Sequence, residues 1–145
     1  MRIALALAQA AAERGEAPIG AAIIDPATGS VIAAAANAPI AGHDPTAHAE
    51  ILAIRAAAAV LGQDRLDNCE LWVTLEPCAM CAGAIVHARL ARVYYGAADP
   101  KGGAVEHGAR LFDQPGCLHR PDVYPGFGAG DSAALLKEFF AARRG

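Results

Sequence analysis

The most restrictive feature of this sequence lies in its middle. Glu70–Leu75 reads as a buried strand, residues 78–90 as a helix, and residues 92–96 as a second strand with aromatic and β-branched content. Strand, helix and strand within about 27 residues form a βαβ unit, which demands parallel strands joined by a right-handed crossover. A parallel pair needs helices over its faces, so all-β and all-helical folds are excluded. The remaining segments supply that cover and more strands. Residues 3–12 are rich in helix formers and stop at Gly15. Residues 19–24 and Ser30–Ala36 flank the turn cluster Asp25-Pro26-Ala27-Thr28-Gly29 and predict a β-hairpin. A loop over residues 37–45 leads to a second helix predicted from about Thr46 to Leu61, closed by Gly62. Residues 100–130 hold seven Gly and four Pro, so loops and short turns are expected there. Residues 132–144 return to helix, with Leu135, Leu136, Phe139 and Phe140 as the apolar stripe. The expected architecture is a mixed sheet covered by helices, an α/β layered domain over residues 1–145.

Composition narrows the class further. Of the 145 residues, 37 are Ala, so the larger apolar side chains are expected to do most of the core building. No apolar run approaches the ~20 residues of a membrane span, and the N-terminus runs straight into helix-like sequence without a cleavage site. A cytoplasmic protein without a membrane partner is the expectation. The net charge of −3 is uneven: residues 1–85 carry −5 and residues 86–145 carry +2. That balance excludes a generic nucleic-acid coat protein and confines any polyanion contact to the C-terminal part. Four Cys in such a chain argue for metal or catalysis before disulfides.

Two motifs carry the chemistry. His48-Ala49-Glu50 opens the second predicted helix, and Pro77-Cys78-Ala79-Met80-Cys81 stands where a buried strand turns into a helix. Cysteines at i and i+3 share one helix face about 5–6 Å apart, a reach that suits two sulfurs on one tetrahedral zinc. Pro77 costs no helical hydrogen bond there, and the positive end of the helix favours thiolates. With His48 the protein set is three, which leaves the fourth position open for a water of lowered pKa, as in a catalytic site. Glu50, beside the metal without binding it, is placed to take that water's proton and pass it to a substrate nitrogen.

His-x-Glu with Pro-Cys-x-x-Cys is the pattern of zinc nucleobase deaminases. On those residues the chain resembles the bacterial tRNA-specific adenosine deaminases of the cytidine-deaminase-like superfamily. The resemblance extends through residues 16–20, 37–40, 44–51, 74–85 and 96–104 to the closing Phe-Phe-x-x-Arg-Arg. It implies a three-layer α/β/α fold with a central mixed five-stranded sheet, one Zn²⁺ per subunit and a homodimer. It implies hydrolysis of adenosine to inosine at the wobble position, with the tRNA anticodon stem-loop as partner. By the same resemblance Asn37 and Ala49 bind the base, and Asp99, Lys101, Phe140, Arg143 and Arg144 are candidate RNA contacts.

Other readings stay open at this point. The loop before the zinc helix carries Ala38, Ala41 and Gly42 where family members often have basic residues, and Ala98 replaces a frequent Arg or other polar residue. Each missing cation removes a potential phosphate contact. A free-base or nucleoside deaminase of guanine or cytosine type, with the same zinc chemistry, is therefore the alternative. A non-catalytic zinc-stabilised RNA-binding module is a third. Cys69 and Cys117 are read as packing residues, Glu76 as structural at the strand end, and His43, His87, His107 and His119 as surface or capping groups.

Overall fold

The computed structural model describes residues 1–144, of Arg144 only the backbone. In chain order, α1 (Arg2–Glu13) precedes a hairpin of β1 (Gly20–Asp25) and β2 (Ser30–Ala36). Next come α2 (Ala49–Leu61), β3 (Glu70–Leu75), α3 (Ala79–Ala88) and β4 (Arg92–Ala97). A 3-10 turn at Leu111–Asp113, β5 (Asp122–Tyr124) and α4 (Ala129–Arg144) complete the chain. Strand order in the single five-stranded sheet is β2-β1-β3-β4-β5. β1 runs antiparallel to both β2 and β3, whereas β3, β4 and β5 are mutually parallel, with Trp72 opposite Tyr94 and Tyr94 opposite Tyr124. The sheet is therefore mixed and contains the βαβ unit that the sequence demands.

Helices cover both faces. α2 and α3 pack together on one side, over a core that includes Ile23, Leu71, Val73, Ile85, Leu90, Val93 and Tyr95; α1 and α4 pack together on the other. Alanine does more of the core work than composition implies. α1 buries Ala4, Ala8 and Ala11, and α2 buries Ala49, Ala53 and Ala57. Small side chains let helix backbones approach the sheet closely. The approach is tightest at Gly20, where a Cβ would lie 2.0 Å from the Ala4 carbonyl oxygen and 2.9 Å from the Ala8 nitrogen. Gly20→Ala is accordingly expected to destabilise the protein by about 3 kcal/mol, read as a lowered denaturation midpoint at constant m-value. An unchanged midpoint would contradict this packing.

Three boundaries differ from expectation, each for a local reason. α2 begins at Ala49 and not at Thr46, because Asp44 Oδ1 accepts from the Thr46 backbone N–H (2.9 Å) and hydroxyl (2.7 Å), folding residues 44–47 into a turn. The Gly/Pro-rich stretch contains a real strand, β5, a three-residue segment recruited by pairing to β4 and not by a pattern of its own. α4 starts at Ala129, and of its expected stripe Phe139 is buried while Phe140 is 47% exposed. Adjacent helical residues point about 100° apart, so the sheet cannot cover both rings. Among the described residues, no helix is long and apolar enough to cross a membrane.

Candidate active site

Both metal-binding motifs lie at helix N-termini. His48 is the N-cap of α2 (φ −70°, ψ 150°) and Cys78 the N-cap of α3 (φ −74°, ψ 177°). Imidazole and thiol face each other across the two helix starts. Cys81, completely buried, comes back to the same spot one turn into α3. His48 Nδ1 lies 3.6 Å from Cys78 Sγ and 3.5 Å from Cys81 Sγ, and the three donor atoms are all within 4.8 Å of one another. A tetrahedral zinc with its usual Zn–N and Zn–S bond lengths requires N···S separations of about 3.5 Å. The donor set fits that ion in number, chemistry and spacing.

The electrostatics agree with the donor set. Cys78 is lowered to about 5, chiefly by the hydrogen bond from the Cys81 thiol, against the cost of burial and with help from the Cys81 backbone N–H and His48. Cys81 is pushed the other way by the same Cys78 bond and by its own burial. Thiolate ligands must lose their protons to a metal, and Cys78 is the sulfur already inclined to do so. The N-termini of α2 and α3 both contribute partial positive charge to this point. Glu50, on the first turn of α2, is 4% exposed and lies outside the three-donor set. Burial raises its carboxyl above the ordinary range, partly offset by its own backbone N–H. A buried carboxyl of raised pKa beside a metal group is suited to exchanging protons near neutrality.

The sequence-predicted base-binding residues also meet here. Asn37 is 5% exposed, and its Oδ1 accepts from the Ala49 backbone N–H at 3.3 Å. That bond uses the Ala49 N–H and orients the Asn37 amide N–H groups as the available donors. The loop bearing Asn37 is held twice: Ala38 N–H donates to the Ala47 carbonyl (3.0 Å), and the buried Glu16 carboxylate accepts from the N–H groups of Ile40 (3.2 Å) and Ala41 (2.8 Å). Glu16 was legible only as part of the family block at residues 16–20, because an isolated acid after a helix has no periodicity to mark it. Glu76 and His107 are likewise more than a strand end and a surface group: His107 Nδ1 donates to Glu76 Oε1 at 2.7 Å.

The candidate RNA contacts are spread over other elements. Asp99 lies in the loop after β4, where its Oδ1 accepts from the N–H groups of Lys101 (3.2 Å) and Gly102 (2.9 Å), and the Lys101 side chain is exposed. On α4, Phe140 packs edge-on to Phe139, and the Arg143 guanidinium sits 3.6 Å from the Phe139 ring centroid. The Arg144 side chain lies outside the described residues. Cys69 is buried and Cys117 half-buried, as packing residues should be, and His119 Nε2 donates to the Leu90 carbonyl at 2.6 Å beyond the end of α3.

A sequence model of the cytidine and deoxycytidylate deaminase zinc-binding region matches residues 1–97. The chain is 54% identical over 144 residues to a tRNA-specific adenosine deaminase of Agrobacterium fabrum (strain C58), covering 99% of this chain and 93% of that one. Against a tRNA-specific adenosine deaminase of Haemophilus influenzae the identity is 44%, with 99% and 83% covered. Among solved structures, one from a study of A-to-I editing by tRNA:A34 deaminases at the wobble position is similar at TM-score 0.91 and 54% identity, over 94% of this chain and 97% of that one. A guanine deaminase from Nitrosomonas europaea is similar at TM-score 0.77 and 28% identity, over 95% and 81%.

Proposed function

The chain belongs to the zinc-binding cytidine and deoxycytidylate deaminase family and, within it, to the tRNA-specific adenosine deaminases, and from that premise we propose that it hydrolyses adenosine to inosine at the wobble position of a tRNA anticodon stem-loop. The observation that carries this reading is the His48, Cys78 and Cys81 donor set with Glu50 buried beside it. His48, Cys78 and Cys81 would hold a zinc ion, which would supply Lewis-acid activation of water. Glu50 is placed to accept a proton from the attacking water and deliver it to the amino nitrogen on adenine C6, while the water's second proton ends on ring N1. Oxygen replaces nitrogen at C6, and ammonia leaves. Asn37 donates from its amide to an acceptor on the purine, and the Ala49 backbone, whose N–H also donates to Asn37 Oδ1, helps hold the base edge.

A wobble base lies in a loop that is already single-stranded, so unstacking it costs little and no strand-opening element is needed. The exposed Lys101 and the cations of α4 supply phosphate contacts on the basic C-terminal part of the chain. The working unit is a homodimer of one zinc-dependent domain per chain, acting where tRNA is found, in the cytoplasm. An apolar groove of about 360 Å³ lined by Gly83, Val86, Leu111, Cys117 and Leu118, the last 84% exposed, supports pairing on the α3 side.

The reading is tested by ammonia release. Turnover is expected on an anticodon stem-loop with adenosine at the wobble position, and none on guanine, cytosine or cytidine. Turnover on a free base with none on the stem-loop would assign the chain to the free-base chemistry of its guanine-deaminase structural relatives.

A further inference from the structure

Glu76 has a bonding pattern that the deamination chemistry does not use. It stands between Leu75, the last residue of β3, and Pro77, which leads into Cys78. Its side chain is completely buried. Oε1 accepts from the Asp99 backbone N–H (3.0 Å) and from His107 Nδ1 (2.7 Å). Oε2 accepts from three successive backbone N–H groups, those of Val105 (3.2 Å), Glu106 (2.9 Å) and His107 (3.0 Å). Consecutive N–H groups converging on one point form an anion-binding concavity. Here the anion is supplied from within the chain.

The segment so held is the loop that follows β4. Because β3 and β4 run parallel, their C-terminal ends open on the same edge of the sheet, the edge where Cys78 begins α3. The Ala104 N–H also donates to the Pro77 carbonyl at 2.9 Å, so the loop is fastened to two consecutive residues immediately before the first thiolate. The approach leaves no room for a side chain at Gly103, where a Cβ would lie 2.6 Å from the Glu76 carboxyl carbon and 2.5 Å from the Asp99 carbonyl oxygen. Glu76 thus joins the start of the metal-binding helix to the loop carrying the exposed Lys101.

We propose that Glu76 is a positioning residue for the reaction: its carboxylate sets the loop of residues 99–107 as the wall of the site that receives the RNA strand. This rests on the chain being a tRNA deaminase. Glutamine at this position keeps the shape and one acceptor, but it turns an NH₂ group toward either the three N–H donors or the Asp99 and His107 pair. Donor facing donor forces the loop to move.

The test uses the zinc-loaded full chain. Glu76→Gln is expected to keep one zinc per chain, to speed amide exchange at residues 105–107 measured without RNA, and to raise KM for the anticodon stem-loop about tenfold with kcat within about twofold. A purely structural role would lower the active fraction, and with it kcat, without that split. His107→Ala removes a single bond from a side chain that is 40% exposed and keeps the fold. It is expected to move exchange and KM the same way, by about threefold, and it decides the matter should Glu76→Gln not fold. Exchange and KM at wild-type values, or a fall in kcat and zinc content with KM unchanged, would overturn the proposal. Wild-type turnover of the stem-loop tests the functional reading, and exchange in the free protein tests the pinning of the loop, so the two failures are told apart.

Discussion

Glu50→Ala is expected to bind one zinc per chain, keep the wild-type melting temperature within a few degrees, and lose roughly 10³-fold or more in kcat on the stem-loop. The separation of these effects follows from where the carboxyl sits. Glu50 lies outside the mutually close donor set, so removing it leaves the imidazole and both sulfurs in place. It is 4% exposed, and its charged form is disfavoured chiefly by burial, so its loss relieves a desolvation cost while opening a small void. The two stability effects oppose each other. Catalysis has no such compensation, because the same group must accept a proton and then donate it. Glu50→Gln sharpens the test, since it preserves volume and hydrogen bonding but cannot cycle a proton. Zinc content by elemental analysis beside single-turnover rates reads both. Substantial residual turnover in either variant would remove the proton-shuttle role.

What the sequence discloses and what it hides divide along a physical line. β3, α3 and β4 were legible because each has its own pattern: a run of buried strand residues, a Pro-Cys start and an aromatic strand. The metal group was legible because ligand chemistry restricts residue type and spacing so tightly that His48 can be matched to a Cys78 and Cys81 pair 30 or more residues away. β5 was not, since three residues with an exposed, half-buried, exposed pattern acquire strand geometry only by pairing with β4. The roles of Glu16 and Glu76 were not legible either. Each carboxylate is satisfied by backbone N–H groups more than 20 residues away, and backbone donors are the same in every sequence. Side-chain pattern finds groups that bind a ligand, but it cannot find groups that bind the chain itself.

Cys78→Ala is the sharper of the two cysteine tests of the metal site. Cys81 is completely buried, so truncating it would mix a cavity cost with metal loss. Cys78 is only half-buried, so truncating it sacrifices less packing. It is also the sulfur lowered to about 5, the donor that competes least with protons for a cation at neutral pH. Losing it leaves His48 and Cys81, too few to retain zinc against a chelator. An ion held at a thousandfold over its dissociation constant stabilises the fold by about 4 kcal/mol, roughly 10 °C in melting temperature at this size. The wild-type protein is therefore expected to lose about that much on chelation, and Cys78→Ala to melt near the chelated wild type whether or not chelator is present. Full zinc occupancy in Cys78→Ala would break the ligand assignment. A chelator-insensitive wild type that still turns over substrate would break the zinc mechanism itself.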